Sequence, residues 1–200
     1  MANIDAPFGL KPVRHLNGSP WNGQTVRMLI EDDDDTAYYI GDPVTITGAA
    51  GSDDTSGIIV ADIALVTADT RIYGVIVSID PDPDNLNRLY LPALTGGYIN
   101  VCIDPDVIYE VQDDAVVTLT GAIIGANAHL CADESGDTVT GLSGWELDSA
   151  LVGANDGYHL QVLGISQRPD NALGDNCIWE VMISSHILRT VAAGSGFLGI

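Results

Sequence analysis

Positive charge is what this sequence has least of. One lysine, Lys11, and six arginines stand against 28 acidic residues, so the chain of 200 residues carries a formal net charge of −21. Nucleic acids and anionic lipid surfaces attract clustered lysine and arginine, which this chain does not contain. The composition therefore excludes DNA or RNA as a direct partner and argues against binding to a membrane surface.

Cysteine and long apolar runs are also scarce. The three cysteines, Cys102, Cys131 and Cys177, form no Cys-x-x-Cys pair, and an odd number favours buried apolar side chains over disulfides or a metal site. No apolar run reaches the roughly 20 residues of a membrane-spanning helix. The first residues lack the basic start and apolar stretch of a secretion signal. We expect a protein that is made in the cytosol and stays there unless it is packaged.

Helix signals are missing as well, whereas turn signals are abundant. Asp outnumbers Glu by 23 to 5, and Asp favours turns because its side chain bonds the local backbone. Short runs rich in β-branched residues alternate with turns, and no amphipathic helix of three turns is present. The pattern predicts an all-β protein, a sandwich or barrel of short antiparallel strands.

The same pattern places the individual strands. Residues 122–132 are ambiguous between a helical turn and a strand, although Gly125 and Asn127 argue against a long helix. Residues 136–144 are predicted to be a loop. Strands are predicted at residues 25–31, 43–47, 58–66, 72–79, 88–94, 98–103, 107–112, 116–120, 158–166 and 177–184.

The two ends of the chain differ from the acidic body, residues 25–189. The first 30 residues hold three basic residues and one acid, and their prolines favour extended backbone. Residues 1–24 are predicted to form an extended arm that reaches a neighbouring copy, with an ordinary N-terminal strand as an equal alternative. Residues 190–200 form an uncharged apolar tail, which we expect to dock on this chain or on a neighbour.

Metal ligands occur without a complete pattern. Asp80, Asp82 and Asp84 resemble the start of a calcium loop, but its later glycine and glutamate positions are not matched. His129 and Cys131 share a predicted strand face, yet no second ligand pair accompanies them. Solvated turns are therefore favoured over a cation site, and we predict no metal and no cofactor.

Catalytic motifs are incomplete too. The chain has no Gly-x-Ser-x-Gly elbow, and Gly194–Gly199 spells a dinucleotide fingerprint that no helix follows. Paired carboxylates are too plentiful to single out, and aromatic residues, which build sugar platforms, make up only 6%. We predict that the protein is not an enzyme.

Four segments carry a resemblance to a known group of proteins. The opening DAPFGLKPVRHLNG, residues 5–18, resembles the start of virion structural proteins of tailed bacteriophages. IYEVQDD at 108–114, IIGANAHL at 123–130 and WEVMISSHIL at 179–188 are similar to the same group. The resemblance implies a capsid decoration (cement) protein, made in the host cytoplasm and placed on the capsid exterior, where it braces the lattice.

The resemblance also implies partners and a contact surface. The partners would be the major capsid protein and sister copies, arranged as a homotrimer on local three-fold positions. A chain without residues 1–24 is expected to stay folded and lose capsid binding. The residues expected to make contact, as charge anchors or apolar plugs, are Phe8, Lys11, Arg14, Trp21, Arg27 and Phe197.

Two other functions stay open at this point. One is a head–tail connector or another minor virion component, which would be present in few copies per particle. The other is a β-rich host-surface module that binds glycans through loops and exposed aromatic residues.

Overall fold

The computed structural model describes residues 3–52, 59–68, 70–132, 134–155 and 157–189. Over this part of the chain the protein is almost entirely β, with one 3-10 turn at Gly121–Ile123. All strand pairs between named strands are antiparallel. The strands are β1 (Lys11–His15), β2 (Val26–Ile30), β3 (Pro43–Ser52), β4 (Ile59–Leu65), β5 (Gly74–Ile79), β6 (Gly97–Cys102), β7 (Val107–Gln112), β8 (Asn127–Cys131), β9 (Glu146–Gly153), β10 (Leu160–Ile165) and β11 (Ile178–Ile183).

The strands form two sheets. The six-stranded sheet has the order β1-β7-β11-β10-β8-β9, and the five-stranded sheet has the order β2-β6-β5-β3-β4. The edges β2 and β4 of the smaller sheet approach each other without pairing, so that sheet curls but does not close. The predicted all-β fold is confirmed, and of the two predicted forms the structure is sandwich-like.

The central strands of the smaller sheet face two hydrophobic cores. On β5, Val75 points into the core that it shares with Tyr109 and Trp179 of the larger sheet. Its neighbour Ile76 points into the second core, inside the curl of the smaller sheet. Because successive side chains of a strand point to opposite faces, one strand supplies both cores.

The N-terminal segment, residues 3–24, is extended and lies along the body. Its strand β1 pairs with β7, and the preceding Leu10 is only 1% exposed within the first core. The Asn3 amide donates to the Ala172 and Asp175 carbonyls. Loss of residues 1–24 would uncover core and leave β7 at the edge, so from these contacts we expect such a chain to be destabilised rather than to fold unchanged.

Several strand boundaries differ from the predictions. Residues 88–94 form only an isolated bridge, through Leu91 to Tyr38, and residues 116–120 form no strand. Conversely β9 was not predicted, because its buried Glu146 and Ser149 interrupt the alternation of apolar and polar residues. The predicted tail 190–200 lies outside the described residues.

The ambiguous stretch at residues 122–132 contains both alternatives. The 3-10 turn Gly121–Ile123 is capped at its N-terminus by Thr120, whose hydroxyl accepts from the Ala122 amide at 3.4 Å. Gly125 then adopts a φ of +90°, which ends the turn, and β8 follows. The glycine thus separates a helical turn from a strand, as a left-handed residue after a turn commonly does.

Many aspartates bond the turns in which they lie. Each accepts a hydrogen bond from the backbone N–H two residues later, at 2.8–2.9 Å for Asp34, Asp82, Asp104 and Asp137. At Asp137 the Val139 amide and the Thr140 hydroxyl hold the pKa of the carboxyl below its usual range. The excess of Asp over Glu therefore has a local structural cause, since the longer Glu side chain does not favour this geometry.

Two glycines fasten the N-terminal segment to the body. Gly9 has a φ of +69° and Gly41 a φ of +100°. A Cβ atom at Gly9 would lie 2.4 Å from the Gly41 carbonyl oxygen, and one at Gly41 would lie 2.3 Å from the Phe8 carbonyl oxygen. The close approach lets the Leu10 N–H donate to the Gly41 carbonyl at 2.9 Å.

This contact gives a stability prediction. Gly9→Ala should destabilise the protein, because the added methyl group meets backbone that cannot move aside, at a cost of about 1–3 kcal/mol beyond the left-handed strain. Gly18→Ala is the matched control: Gly18 also has a positive φ, +86°, but no atom lies within 4 Å of the added Cβ. The control should cost only about 1–2 kcal/mol. Urea unfolding of both variants checks the difference, and equal losses would contradict the close-contact argument.

Candidate functional site

A pocket of about 420 Å³ opens where the N-terminal segment crosses the two sheets. Its walls are mainly apolar: Leu10 and Ile76 are buried, while Phe8, Trp21 and Leu142 are partly exposed around them. Lys11 and Arg168 supply its basic groups. Three of the residues expected to make contacts, Phe8, Lys11 and Trp21, thus line one concave site.

The turn around residues 39–42 carries one side of the pocket. The Tyr39 N–H donates to the Asp42 side chain at 2.7 Å, and the Asp42 N–H donates to the Tyr39 carbonyl at 3.2 Å. These bonds fix Ile40 and Gly41, which line the pocket. Burial raises the pKa of Asp42 to about 6, although hydrogen bonds from Ser143 and from the Tyr39 backbone favour the ionised form. The turn behind this wall of the pocket therefore contains a buried acid, whose hydrogen bonds offset part of the cost of its burial.

Trp21 reaches the pocket because the chain folds back after β1. The His15 N–H donates to the Ser19 carbonyl at 2.8 Å, and Arg14 forms an isolated antiparallel bridge with Pro20. The returning chain covers part of the open edge of β1 and packs the Trp21 ring against the first core. Covering an edge strand in this way hinders unwanted pairing with other chains.

The other predicted charge anchors make ion pairs within the chain. Arg14 contacts Glu180 at 2.5 Å on the outer face of the six-stranded sheet. Arg27 lies on β2, where it contacts Asp80 at 2.6 Å and stacks 3.6 Å from the centre of the Tyr98 ring. Neither residue lines the pocket, and Phe197 lies outside the described residues.

Lys11 has a different environment. It lies opposite Glu110 in the β1–β7 pair, and Glu110 lies opposite Glu180 in the β7–β11 pair. Glu110 is already bonded, because it accepts from the Ser166 hydroxyl at 2.5 Å and contacts Arg168 at 3.5 Å. The exposed Lys11 ammonium has no hydrogen-bond or ion-pair partner within the described residues.

Sequence reasoning missed the remaining walls of the pocket. Ile40, Leu142 and Arg168 come from three connections that are far apart in the sequence. The isolated parallel bridge between Ile40 and Leu142 brings two of these connections together. The one available signal was an apolar Leu142 inside a glycine-rich loop, which is too common a feature to single out a site.

The candidate metal ligands make protein contacts instead. Asp82 contacts Arg88 at 3.1 Å and accepts from the Asp84 amide, while Asp80 contacts Arg27. Over the described ranges, no group of three or more His, Cys, Asp or Glu residues is arranged to hold a metal ion. None of the helical structure in that part of the chain is long and apolar enough to cross a membrane.

Two histidines are buried and neutral at neutral pH. Burial lowers the pKa of His159 and of His186 to about 4, and the neighbouring His129 adds to the effect on His159. Arg189 and Arg71 lower the pKa of His186 further, while Asp104 and Asp106 oppose them. His159 contacts the Thr70 carbonyl at 3.2 Å, and the His186 ring accepts from the Leu188 amide at 3.1 Å. Both imidazoles thus bond the main chain inside the protein, and neither belongs to an open site.

Comparison with known proteins identifies no relative, since no family model, no curated protein and no solved structure matches the chain. The pocket, with its apolar walls and unpaired lysine, is the feature of the described residues that best fits a contact with another molecule.

The buried histidines give a pH prediction. Between pH 6.5 and about 4 the unfolded chain takes up protons at these rings and the folded chain does not, so their contribution to stability falls as the pH falls. Asp42, with its pKa raised to about 6, acts in the opposite direction. Urea unfolding at pH 7 and pH 5 should show a smaller loss for His186→Asn than for the unchanged chain. An equal loss of unfolding free energy in both proteins between pH 7 and pH 5 would contradict the lowered pKa of His186.

Proposed function

We propose that this chain is a structural virion protein that decorates and stabilises the outer surface of a tailed-bacteriophage capsid. The observation that carries the proposal is a coincidence of sequence and geometry. Residues 5–18 resemble the opening of such virion proteins, and within them Phe8, Leu10 and Lys11 line the pocket. The segment that carries the resemblance therefore also builds the candidate contact surface.

The charge distribution supports an exterior position. A net charge of −21 keeps separate copies apart before assembly and repels packaged DNA. The pocket region is different, because there Lys11, Arg14 and Arg168 offset the neighbouring acids. A capsid subunit would thus meet a part of the surface where the negative charge is offset.

The proposed partners are the major capsid protein and sister copies, with a homotrimer as the assembly. Three copies related by a closed rotation would each use the same pair of surfaces, as heterologous contacts in a ring require. The role proposed here is structural rather than catalytic. A connector would instead be present as one small ring, so the copy number per particle separates these two virion functions.

The proposal predicts that capsid binding depends on the pocket rim. Lys11→Glu should weaken co-sedimentation with empty capsids at least tenfold, since it places a carboxylate where an incoming acidic group would lie. Lys11 is exposed and has no internal partner, so the substitution removes no contact. The added repulsion from Glu110 on β7 should cost no more than about 1 kcal/mol and leave the protein folded.

Arg88→Glu is the matched control for charge. It changes the net charge by the same amount but lies in the connection before β6, where Arg88 contacts Asp82. The control should retain most of its binding. Equal weakening by both variants would indicate a general charge effect, and undiminished binding by Lys11→Glu would exclude the pocket as the capsid contact.

Glycan binding without capsid affinity would favour the host-surface alternative.

A further inference from the structure

The basic side chains of this protein are almost all committed to internal contacts. Arg14, Arg27 and Arg88 each contact a carboxylate at 2.5–3.1 Å, and Arg189 contacts Asp106 at 2.8 Å. Arg71 donates to main-chain carbonyls. Within the described part of the chain, Lys11 is the basic residue that has no such partner.

The second basic group at the pocket is also occupied. The Arg168 guanidinium makes two bonds to Asp170, from Nε at 3.1 Å and from Nη2 at 2.8 Å, and a third contact to Glu110. Its charge is therefore balanced from within the chain. An incoming anion at this pocket would meet one available ammonium group, on Lys11.

The apolar walls set a second requirement. Leu10 and Ile76 are buried at the base, and Phe8, Trp21 and Leu142 leave apolar surface open toward the pocket. Water in such a site finds few partners, so an apolar side chain would replace it favourably. A volume of about 420 Å³ suits one or two large side chains rather than a folded domain.

We infer that this pocket binds a protein segment in which a large apolar side chain lies beside a carboxylate. The apolar group enters between Trp21 and Leu142, and the carboxylate pairs with the Lys11 ammonium. The inference deepens the proposed function, because it names the chemistry of the capsid segment that the decoration protein would recognise.

Charge complementarity is the reason for choosing this ligand. Over most of the surface an acidic segment is repelled, since the chain has four acids for every base. Beside Lys11, the acids Glu110, Glu180 and Asp170 contact two arginines, Arg14 and Arg168. Together with Lys11 these charges sum to zero, so an acidic segment meets a neutral patch on an otherwise acidic surface. Lys11 is the base of this patch that contacts no carboxylate, and an incoming carboxylate is its natural partner.

Small probes test the inference on the complete, isolated protein. N-acetyl-phenylalanine and N-acetyl-phenylalaninamide share the apolar ring and differ in the carboxylate. We expect both to shift the indole N–H resonance of Trp21, with the acid binding about threefold tighter, as for an exposed ion pair. Added salt should reduce that preference.

Three variants separate the two requirements. Lys11→Met should abolish the preference for the acid while ring binding remains, and Leu142→Asp should abolish binding of both probes. Phe197→Ser tests whether the chain's own residues 190–200 occupy the pocket. Probe binding that occurs only in Phe197→Ser would identify those residues as the occupant and overturn the inference.

Other outcomes are equally decisive. Equal affinity for acid and amide in the unchanged protein, or no binding of either probe to any variant, would overturn the inference. The probe experiment uses the isolated protein without capsids, so it is independent of the co-sedimentation experiment. If the probes bind selectively but the protein does not co-sediment with capsids, the proposed function is refuted and the inferred pocket chemistry is supported. Capsid binding without probe selectivity would do the reverse.

Discussion

The arrangement of this protein depends on the close contact between Gly9 and Gly41. Their backbones approach too closely for any side chain, and the Leu10 N–H then bonds the Gly41 carbonyl. The Gly41 N–H in turn donates to the Ile76 carbonyl on β5, so one chain of hydrogen bonds links the N-terminal segment to the smaller sheet. Without this contact Leu10 would not enter the core, and the pocket would have no base.

The same contact explains why the candidate site lies where it does. β5 is shared between two cores, and its residues Ile76 and Val77 line the pocket where the N-terminal segment crosses the sheets. The N-terminal segment closes that junction incompletely, because Phe8 and Trp21 lie across it without filling it. A gap of this kind can persist in a stable protein, since the surrounding strands are held by their own ladders and by two separate hydrophobic clusters.

Periodicity predicted much of the fold and little of the site. Residues 107–112 and 177–184 were predicted as strands and contain β7 and β11, and in β11 the buried Trp179 alternates with the outward Glu180. β9 was not predicted, because its buried Glu146 is a residue type that sequence patterns assign to the surface. Of the residues that line the pocket, only those of the N-terminal segment were predicted as contact residues. Leu142 and Arg168 lie at the pocket because of how distant loops pack together. Such contacts between distant segments leave no local pattern in a sequence.

The aspartates that bond their own turns have a consequence for how such a protein can change. An asparagine side chain offers the same acceptor oxygen to the same backbone amide, so each of these turns would keep its shape with a neutral residue. Except at Asp82, which also pairs with Arg88, the turn geometry therefore accounts for the short side chain at these positions but not for its ionised state. The abundance of anionic groups is then an independent trait, which selection can adjust residue by residue while the framework of strands stays the same.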